Sequence, residues 1–316
     1  MMTIFAPCTR STLTRALLSV AMLSSLMTMA ARAQESFKTP DEGVNALVNA
    51  AKAEDPAGIV EVLGPAGADI VSSGDPVEDN ATLKRFLDAY DAKHEITMQG
   101  DGKAILVLGS ADFPFPIPLI RKDDRWWFDT EAGRQEILFR RIGRNELDAI
   151  QTVLAYVDAQ NEYADKNPDG AGVGTYAQRI VSRPGKKDGL YWPSAQGGGD
   201  SPLGALVAEA TGAGYRVNGG HAPFHGYYYR ILTKQGPDAI GGALDYVVNG
   251  KMIGGFGLIA YPAEYGNSGV MSFIVNHEGV VFQKDLGANT ADVAKNMTSF
   301  NPDRSWKKVE ASDEEP

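Results

Sequence analysis

The stretch RRIGRNELDAIQTVLAYVDAQNEYADKN, residues 140–167, repeats apolar side chains at the spacing of an α-helix. The apolar positions are Leu147, Ile150, Val153, Leu154 and Val157. Asn145 stands just before them, and asparagine is among the residue types that cap helix starts. We therefore predict a helix of about four or five turns that begins at Asn145 and opens the second of two folded units.

Strand-like segments follow this helix. They are GYYYRIL (226–232), ALDYVV (243–248), GFGLIAY (255–261), MSFIVN (271–276) and GVVFQKDL (279–286). The pair Asn249 and Gly250 predicts a tight hairpin, because both residue types tolerate positive φ, and NHEG at 276–279 predicts another turn. A short helix, TADVAKNM, comes last. For residues 144–310 the expected arrangement is a long helix packed on an antiparallel sheet.

Residues 34–143 form the first predicted unit. Thr39 precedes Pro40, with Glu42 three residues on, which is a helix-start signal. A second helix is predicted in NATLKRFLDAY, with one apolar face made of Leu83, Phe86, Leu87 and Tyr90. The β-rich runs KAILVLGS and RWWFDTE follow, separated by a proline-rich segment that cannot be a central strand. Helices packed on an antiparallel sheet make both units α+β.

Residues 1–33 have the pattern of an export signal. Arginines precede a short apolar run, and the triplet Ala31-Arg32-Ala33 suits cleavage after Ala33. The apolar run is too short to cross a bilayer comfortably. We therefore expect a periplasmic or extracellular protein with no integral membrane segment after cleavage.

The charge and cysteine content narrow the function classes. The formal net charge is −10, which argues against nucleic acid and anionic membranes as main partners. The one cysteine, Cys8, lies in the predicted signal, so disulfides and thiol catalysis are not expected. The acidic residues at 311–316 are interpreted as a solvated tail.

DKNPDG, residues 165–170, is the clearest metal signal. Asp165, Asn167 and Asp169 stand at alternate positions before Gly170, as in the first half of a calcium loop. The twelfth position of that pattern needs a glutamate and holds Tyr176. The alternative is a helix end that runs into a turn and needs no ion. The sequence thus allows a weak structural calcium site and predicts no other cofactor.

Two histidines lie four residues apart at His221 and His225. On a helix this spacing suits zinc, but Pro223 and Gly226 disfavour a helix here. In an extended segment the Cα atoms stand about 13 Å apart, too far for shared coordination. We interpret the segment as a loop that leads into an aromatic strand.

Signals for catalysis do not combine into a motif. Ser268 lies between glycines without the spacing of a nucleophile elbow. A non-catalytic binding protein, with an exposed aromatic patch around Trp127, Tyr191, Trp192 or Tyr229, is the preferred interpretation, and its partner is an unknown envelope protein or small ligand. One alternative is a periplasmic hydrolase that uses Glu264, His277 or His225 between the domains. Another is an accessory factor that docks on a secretion or pilus machine through a sheet edge.

Three resemblances support this organisation. The order of elements before residue 143, with DDRWWFDTEAG, resembles the nuclear-transport-factor-2-like cone. DAQNEYA, YAQRI and GYYYRIL are similar to the globular part of type IV pilins and pseudopilins, although a separate domain stands where a pilin has its apolar stem. WWFDTEAG, DGLYWP, YVVNGKMIGGF and AYPAEYGNSGVMSF resemble domain-of-unknown-function family 2950, which implies an exported bacterial protein and no assigned activity.

Overall fold

The computed structural model describes residues 34–193, 201–216 and 222–310. The predicted signal at 1–33, the tail at 311–316 and His221 lie outside these residues. The described part contains seven α-helices and several sheets that are almost entirely antiparallel. The predicted α+β class is confirmed.

The N-terminal part packs four helices on one sheet. The helices are α1 (Pro40–Lys52), α2 (Pro56–Leu63), α3 (Ala68–Val71) and α4 (Pro76–Ala92). The strands are β1 (His94–Met98), β2 (Lys103–Leu108), β3 (Phe113–Pro114), β4 (Leu119–Lys122) and β5 (Arg125–Phe128), in the order β1-β2-β4-β5 with β3 also on β2. As predicted, Thr39 caps α1, and its Oγ1 accepts from Glu42 N at 3.2 Å. Leu47, Leu106 and Phe128 are buried in the core between helices and sheet.

Helix α5 (Thr130–Lys166) is longer than predicted. It begins after Asp129, whose side chain accepts from Ala132 N at 3.4 Å. The prediction that a helix starts at Asn145 is wrong, because Asn145 lies in the middle of α5 and is only 1% exposed. Residues 130–144 lack any helix breaker except Gly133 and Gly143, so the helix continues through them.

The predicted boundary between residues 143 and 144 falls inside α5. Residues on its N-terminal half, such as Ile137, pack on the first core, whereas Val153 and Tyr156 belong to the second. All described residues belong to one compact unit. The division into two domains stays a prediction.

The C-terminal part packs α5 on a second sheet. Its elements are α6 (Gly204–Gly212), β6 (Tyr227–Leu232), β7 (Lys234–Gln235), β8 (Leu244–Asp245), β9 (Val247–Val248), β10 (Lys251–Met252), β11 (Gly257–Pro262), β12 (Met271–Asn276), β13 (Phe282–Asp285), α7 (Thr290–Asn296), β14 (Ser299–Phe300) and β15 (Lys307–Lys308). The five-stranded order is β15-β13-β12-β11-β6. Val153 on α5 belongs to one buried cluster with Leu258 and Phe273, and Trp306 is buried with Ile259 in a separate cluster. The predicted strands therefore form an antiparallel sheet whose residues belong to two buried apolar clusters.

Both predicted turns are confirmed. Asn249 and Gly250 have φ of 51° and 77° and join β9 to β10. Positive φ at both central residues is the requirement of a two-residue hairpin. In the NHEG turn, Gly279 has φ of 74°, and its N–H donates to Asn276 O at 2.9 Å. No helix in the described ranges is long and apolar enough to cross a bilayer.

Candidate ligand-binding site

The apolar face of α4 is only partly covered. Of the four residues predicted to form it, Tyr90 is buried, whereas Leu83, Phe86 and Leu87 are half-buried. An amphipathic helix normally buries this face completely against its neighbours. Leu83 and Phe86 are half-exposed because they border a cavity.

This cavity has a volume of about 930 Å³ and lies among α1, α2, α4, α5 and the segment after β2. Most of its wall is apolar. The apolar lining includes Leu47, Ala51, Ile59, Leu63, Ile70, Val71, Leu83, Phe86, Leu108, Phe113, Phe115 and Ile137. A volume of this size is in the range of small-molecule sites, which are mainly apolar with a few polar groups.

Arginines supply most of the charge in the cavity wall. Arg85 comes from α4, and Arg140, Arg141 and Arg144 come from α5. The spacing of 140, 141 and 144 places these three on one side of the helix. Two carboxylates, Glu54 and Asp79, also line the cavity.

Arg141 is the most buried of these arginines, at 6% exposure. Its Nη1 donates to Asp69 O and to Asn267 Oδ1, each at 2.6 Å, and its Nη2 donates to Ile70 O. All three acceptors are neutral. Burial is the main effect on the guanidinium and lowers its pKa below the ordinary arginine value.

Glu78 is shared by two arginines beside the cavity. Its Oε1 lies 2.7 Å from Arg85 Nη2 and 3.1 Å from Arg144 Nη2. Arg140 pairs with Glu136 and stacks over the ring of Phe113 at 4.8 Å. These three guanidinium groups therefore each have a carboxylate partner, and their side chains are about half exposed.

Asp79 is held by Ser73. The Ser73 hydroxyl donates to Asp79 Oδ1 at 2.6 Å, and the Ser73 N–H donates to both carboxylate oxygens at 3.1 Å. Burial raises the pKa of the Asp79 carboxyl above its ordinary value, and the Ser73 hydrogen bonds offset only part of that effect.

The raised pKa of Asp79 predicts a pH-dependent stability. Since the folded chain holds this proton more tightly than the unfolded chain, the free energy of unfolding decreases as pH rises from about 4 through the raised pKa. In Asp79→Asn this contribution is absent. Urea unfolding across this range should show wild type losing stability relative to the variant as pH rises. Asp88→Asn, at an exposed position on α4, is the control, and an equal pH slope in both variants would contradict the prediction.

A buried carboxylate joins α4 to the C-terminal part. Asp75 is 1% exposed, and its Oδ1 caps α4 by accepting from Val77 N and Glu78 N. Its Oδ2 accepts from the Tyr215 hydroxyl and from Gly226 N, each at 2.9 Å. One side chain thus fixes a helix start and two distant segments at once.

Helix α5 holds the segment between β11 and β12. Arg141 contacts Asn267, and Asn145 Nδ2 donates to Ser268 O at 2.9 Å. Glu146 Oε1 accepts from Val270 N and Met271 N at 3.0 and 2.9 Å. This segment therefore forms part of the framework that positions the Arg141 guanidinium.

Comparison with protein families settles the relationship of the chain. The family model described as "Protein of unknown function (DUF2950)" matches residues 34–309. The chain belongs to this family. Comparison with the curated proteins and with the solved structures finds no match. The likeness to pilins and to the nuclear-transport-factor-2-like cone therefore gains no support from a matching structure.

The candidate catalytic residues of this DUF2950 protein lie at both ends of β11. His277 N donates to Phe256 O at the start of β11, whereas Glu264 follows the end of that strand. The six residues of β11 separate them by about 20 Å. Ser268 is fully buried, and its Oγ lies 2.9 Å from Glu264 N, from which it accepts. His225 lies at the same end of β11 as Glu264, because O of the neighbouring Gly226 accepts from Ala263 N at 2.8 Å. Its Nδ1 lies 3.6 Å from Asp148 Oδ2.

The predicted calcium loop lies at the end of α5. Asp165 is in the last turn of the helix and is exposed. Asn167 Oδ1 accepts from Gly172 N at 2.8 Å, and Asp169 Oδ1 accepts from Ala171 N at 3.0 Å. No cluster of three or more His, Cys, Asp or Glu suited to a metal occurs in the described ranges. The calcium site stays a prediction.

The predicted exposed aromatic patch is wrong. Trp192 is buried, and Trp127, Tyr191 and Tyr229 are half-buried. Tyr191, Trp192 and Tyr229 pack on the core around α5. Bulky aromatic side chains contribute most to stability when they leave water, and the C-terminal core accommodates these three.

A second cavity of about 610 Å³ lies between α6 and β6. Arg216 and Ala222 line it and border residues 217–221, which lie outside the described ranges. The cavity beside α4 has a wall made entirely of described residues and is therefore the better-defined candidate site.

Proposed function

We propose that this DUF2950 protein is an exported, non-catalytic binding protein, and that it holds a small, mainly apolar ligand in the cavity beside α4. The cavity of about 930 Å³, bordered by the half-covered face of α4, is the observation that carries this proposal. Apolar side chains left half-exposed gain free energy when a ligand removes them from water, at about 25 cal/mol per Å². Leu83 and Phe86 supply such surface.

The geometry of the reactive groups favours binding over hydrolysis. A hydrolase needs an acid or base within hydrogen-bond reach of a nucleophile in one cleft. His277 and Glu264 stand near opposite ends of β11. His225 lies at the Glu264 end, but in the described residues no hydrogen bond joins its imidazole to Glu264 or Ser268, and the Ser268 hydroxyl bonds to the backbone N and O of Glu264. Cell fractionation tests the prediction that a signal at residues 1–33 exports the protein. Pull-down tests the prediction that the protein is an accessory factor of a secretion or pilus machine.

A cavity-filling substitution tests the proposed site. Leu83→Trp places a larger side chain in the cavity, so binding of a neutral apolar fluorophore, N-phenyl-1-naphthylamine, should weaken at least about 10-fold, since a lost apolar contact of about 1.4 kcal/mol has that effect. Fluorescence titration of the purified protein measures it.

Leu154→Trp is the matched control. It makes the same substitution at an exposed leucine of α5 that lines neither cavity. Its affinity for the fluorophore should equal that of wild type. Absence of fluorophore binding in wild type, or equal affinity in both variants, would overturn the proposed function.

A further inference from the structure

We propose that the ligand carries an anionic oxygen head group, a carboxylate or a phosphate monoester, and that Arg141, Arg144 and Arg85 hold it at the α4–α5 side of the cavity. The inference rests on the proposed function and names the chemical class of its ligand. The ligand is then an amphiphile whose apolar part occupies the remainder of the cavity.

Arg141 is a buried cation that lacks a carboxylate partner. Its hydrogen bonds go to two backbone carbonyls and one amide oxygen. In the part of the chain that the structure describes, no carboxylate lies within ion-pair distance of it. A guanidinium has five N–H donors, and the bonds described for Arg141 use Nη1 and Nη2 but not Nε. The charge of Asp79 acts on Arg141 from beyond ion-pair distance. Burying a charge without a direct counterion is costly, and an anion in the cavity would offset that cost.

Two further arginines beside Arg141 also favour an anion at this position. Arg85 and Arg144 both approach the same oxygen of Glu78, so two guanidinium groups share one carboxylate. Burial has the largest effect on the pKa of Arg141 and lowers it, the charges of Asp79, Glu78 and Asp69 raise it, and the charge of Arg144 lowers it. An anion placed among the three arginines would relieve this repulsion, and guanidinium groups match carboxylate and phosphate oxygens geometrically.

The carboxylates of the wall leave room for this anion. Asp79 directs both oxygens to Ser73. Glu54 is the second carboxylate in the wall, and it lies in the turn between α1 and α2. Neither carboxylate forms an ion pair with Arg141 at 4.0 Å or less in the described ranges. The head-group subsite is thus built by α4 and α5, while α1 and α2 contribute mainly apolar wall.

Four ligands with the same alkyl chain test the proposal. Decanoate, decyl phosphate, decan-1-ol and decyltrimethylammonium, each below its micelle concentration, compete with N-phenyl-1-naphthylamine on the full mature chain. We expect the two anions to displace the fluorophore at concentrations at least about 10-fold lower than the alcohol, because a charge-assisted hydrogen bond contributes about that factor or more. The ammonium ligand should be the weakest. The ratio of decanoate to decyl phosphate identifies which anionic group fits better.

Arginine variants locate the head group. Arg144→Gln should weaken decanoate or decyl phosphate about 10-fold and leave decan-1-ol within about 2-fold. Arg141→Lys keeps the charge but loses the planar fork and should also weaken the anions selectively. Arg121→Gln, an exposed arginine of β4 outside the cavity, should change neither. Urea unfolding confirms that each variant is folded at the assay temperature.

The two proposals fail in different ways. If decan-1-ol competes as well as the anions, or if Arg144→Gln weakens alcohol and anion equally, the head-group inference is overturned and the apolar site stands. If inorganic phosphate or acetate alone competes as well as the alkyl anions, the inference is also overturned, because the alkyl chain then contributes nothing. If neither the fluorophore nor any alkyl ligand binds, the proposed function itself fails.

Discussion

Asp75→Ala is expected to lower the free energy of unfolding by about 3–7 kcal/mol. Loss of the cap on α4 accounts for about 1 kcal/mol. The Tyr215 hydroxyl and the Gly226 N–H then lose a charged acceptor in a buried place, at about 1–3 kcal/mol each. Urea unfolding at neutral pH, with matched m-values, measures the change.

Two variants separate the contributions at Asp75. Thr39→Ala removes only the cap of the exposed start of α1 and should cost about 1 kcal/mol. Tyr215→Phe removes one of the two distant donors, and a double-mutant cycle with Asp75→Ala should show coupling of about 0.5–3 kcal/mol. If Asp75→Ala costs no more than Thr39→Ala, then the buried contacts to Tyr215 and Gly226 contribute nothing to stability.

Gly133→Ala and Gly143→Ala, both in α5, are expected to have effects of opposite sign. A Cβ on Gly133 would stand 2.5 Å from Pro116 O and 2.8 Å from Ile117 Cγ1, so the first turn of α5 would have to move. We expect a loss of up to about 2 kcal/mol, the usual cost of overpacking of about 1–3 kcal/mol less a gain in helix propensity of about 1 kcal/mol. A Cβ on Gly143 meets nothing within 4 Å, so that variant should gain up to about 1 kcal/mol.

Thermal and urea unfolding of the two variants give this comparison directly. The two substitutions are chemically identical and lie in one helix, so their difference isolates the close approach of α5 to Pro116. Equal stability changes in both variants would mean that the contact at Gly133 adjusts without cost. The result also reports whether the proline-rich segment fixes the beginning of α5.

The helical spacing of Arg140, Arg141 and Arg144 is a sequence signal for the arginine cluster. Residues 140, 141 and 144 share one side of a helix, but this is visible only if the helix already includes them. The apolar stripe begins at Leu147 and the predicted helix begins at Asn145, so the three arginines lie outside the predicted helix. The structure begins α5 at Thr130, because Asp129 provides the cap.

The role of Asp75 was open to only partial prediction. Helix α4 begins at Pro76 with Asp75 as its cap, four residues before the segment NATLKRFLDAY in which the helix is predicted. Tyr215 and Gly226 are separated from Asp75 along the chain by 140 and 151 positions, respectively. No local pattern specifies such a pairing, since it depends on how the sheet brings β6 towards α4.

Local chemistry in the sequence determined the α+β class, the cap at Thr39, the main strands and the hairpin at Asn249 and Gly250. Each of these depends on residues within a few positions of one another, through hydrogen bonds and φ preferences that act along the chain. Tertiary structure alone decided the cavity beside α4 and the burial of Arg141. A void and a buried charge are properties of the space between distant segments, and that space exists only once α1, α4 and α5 have packed.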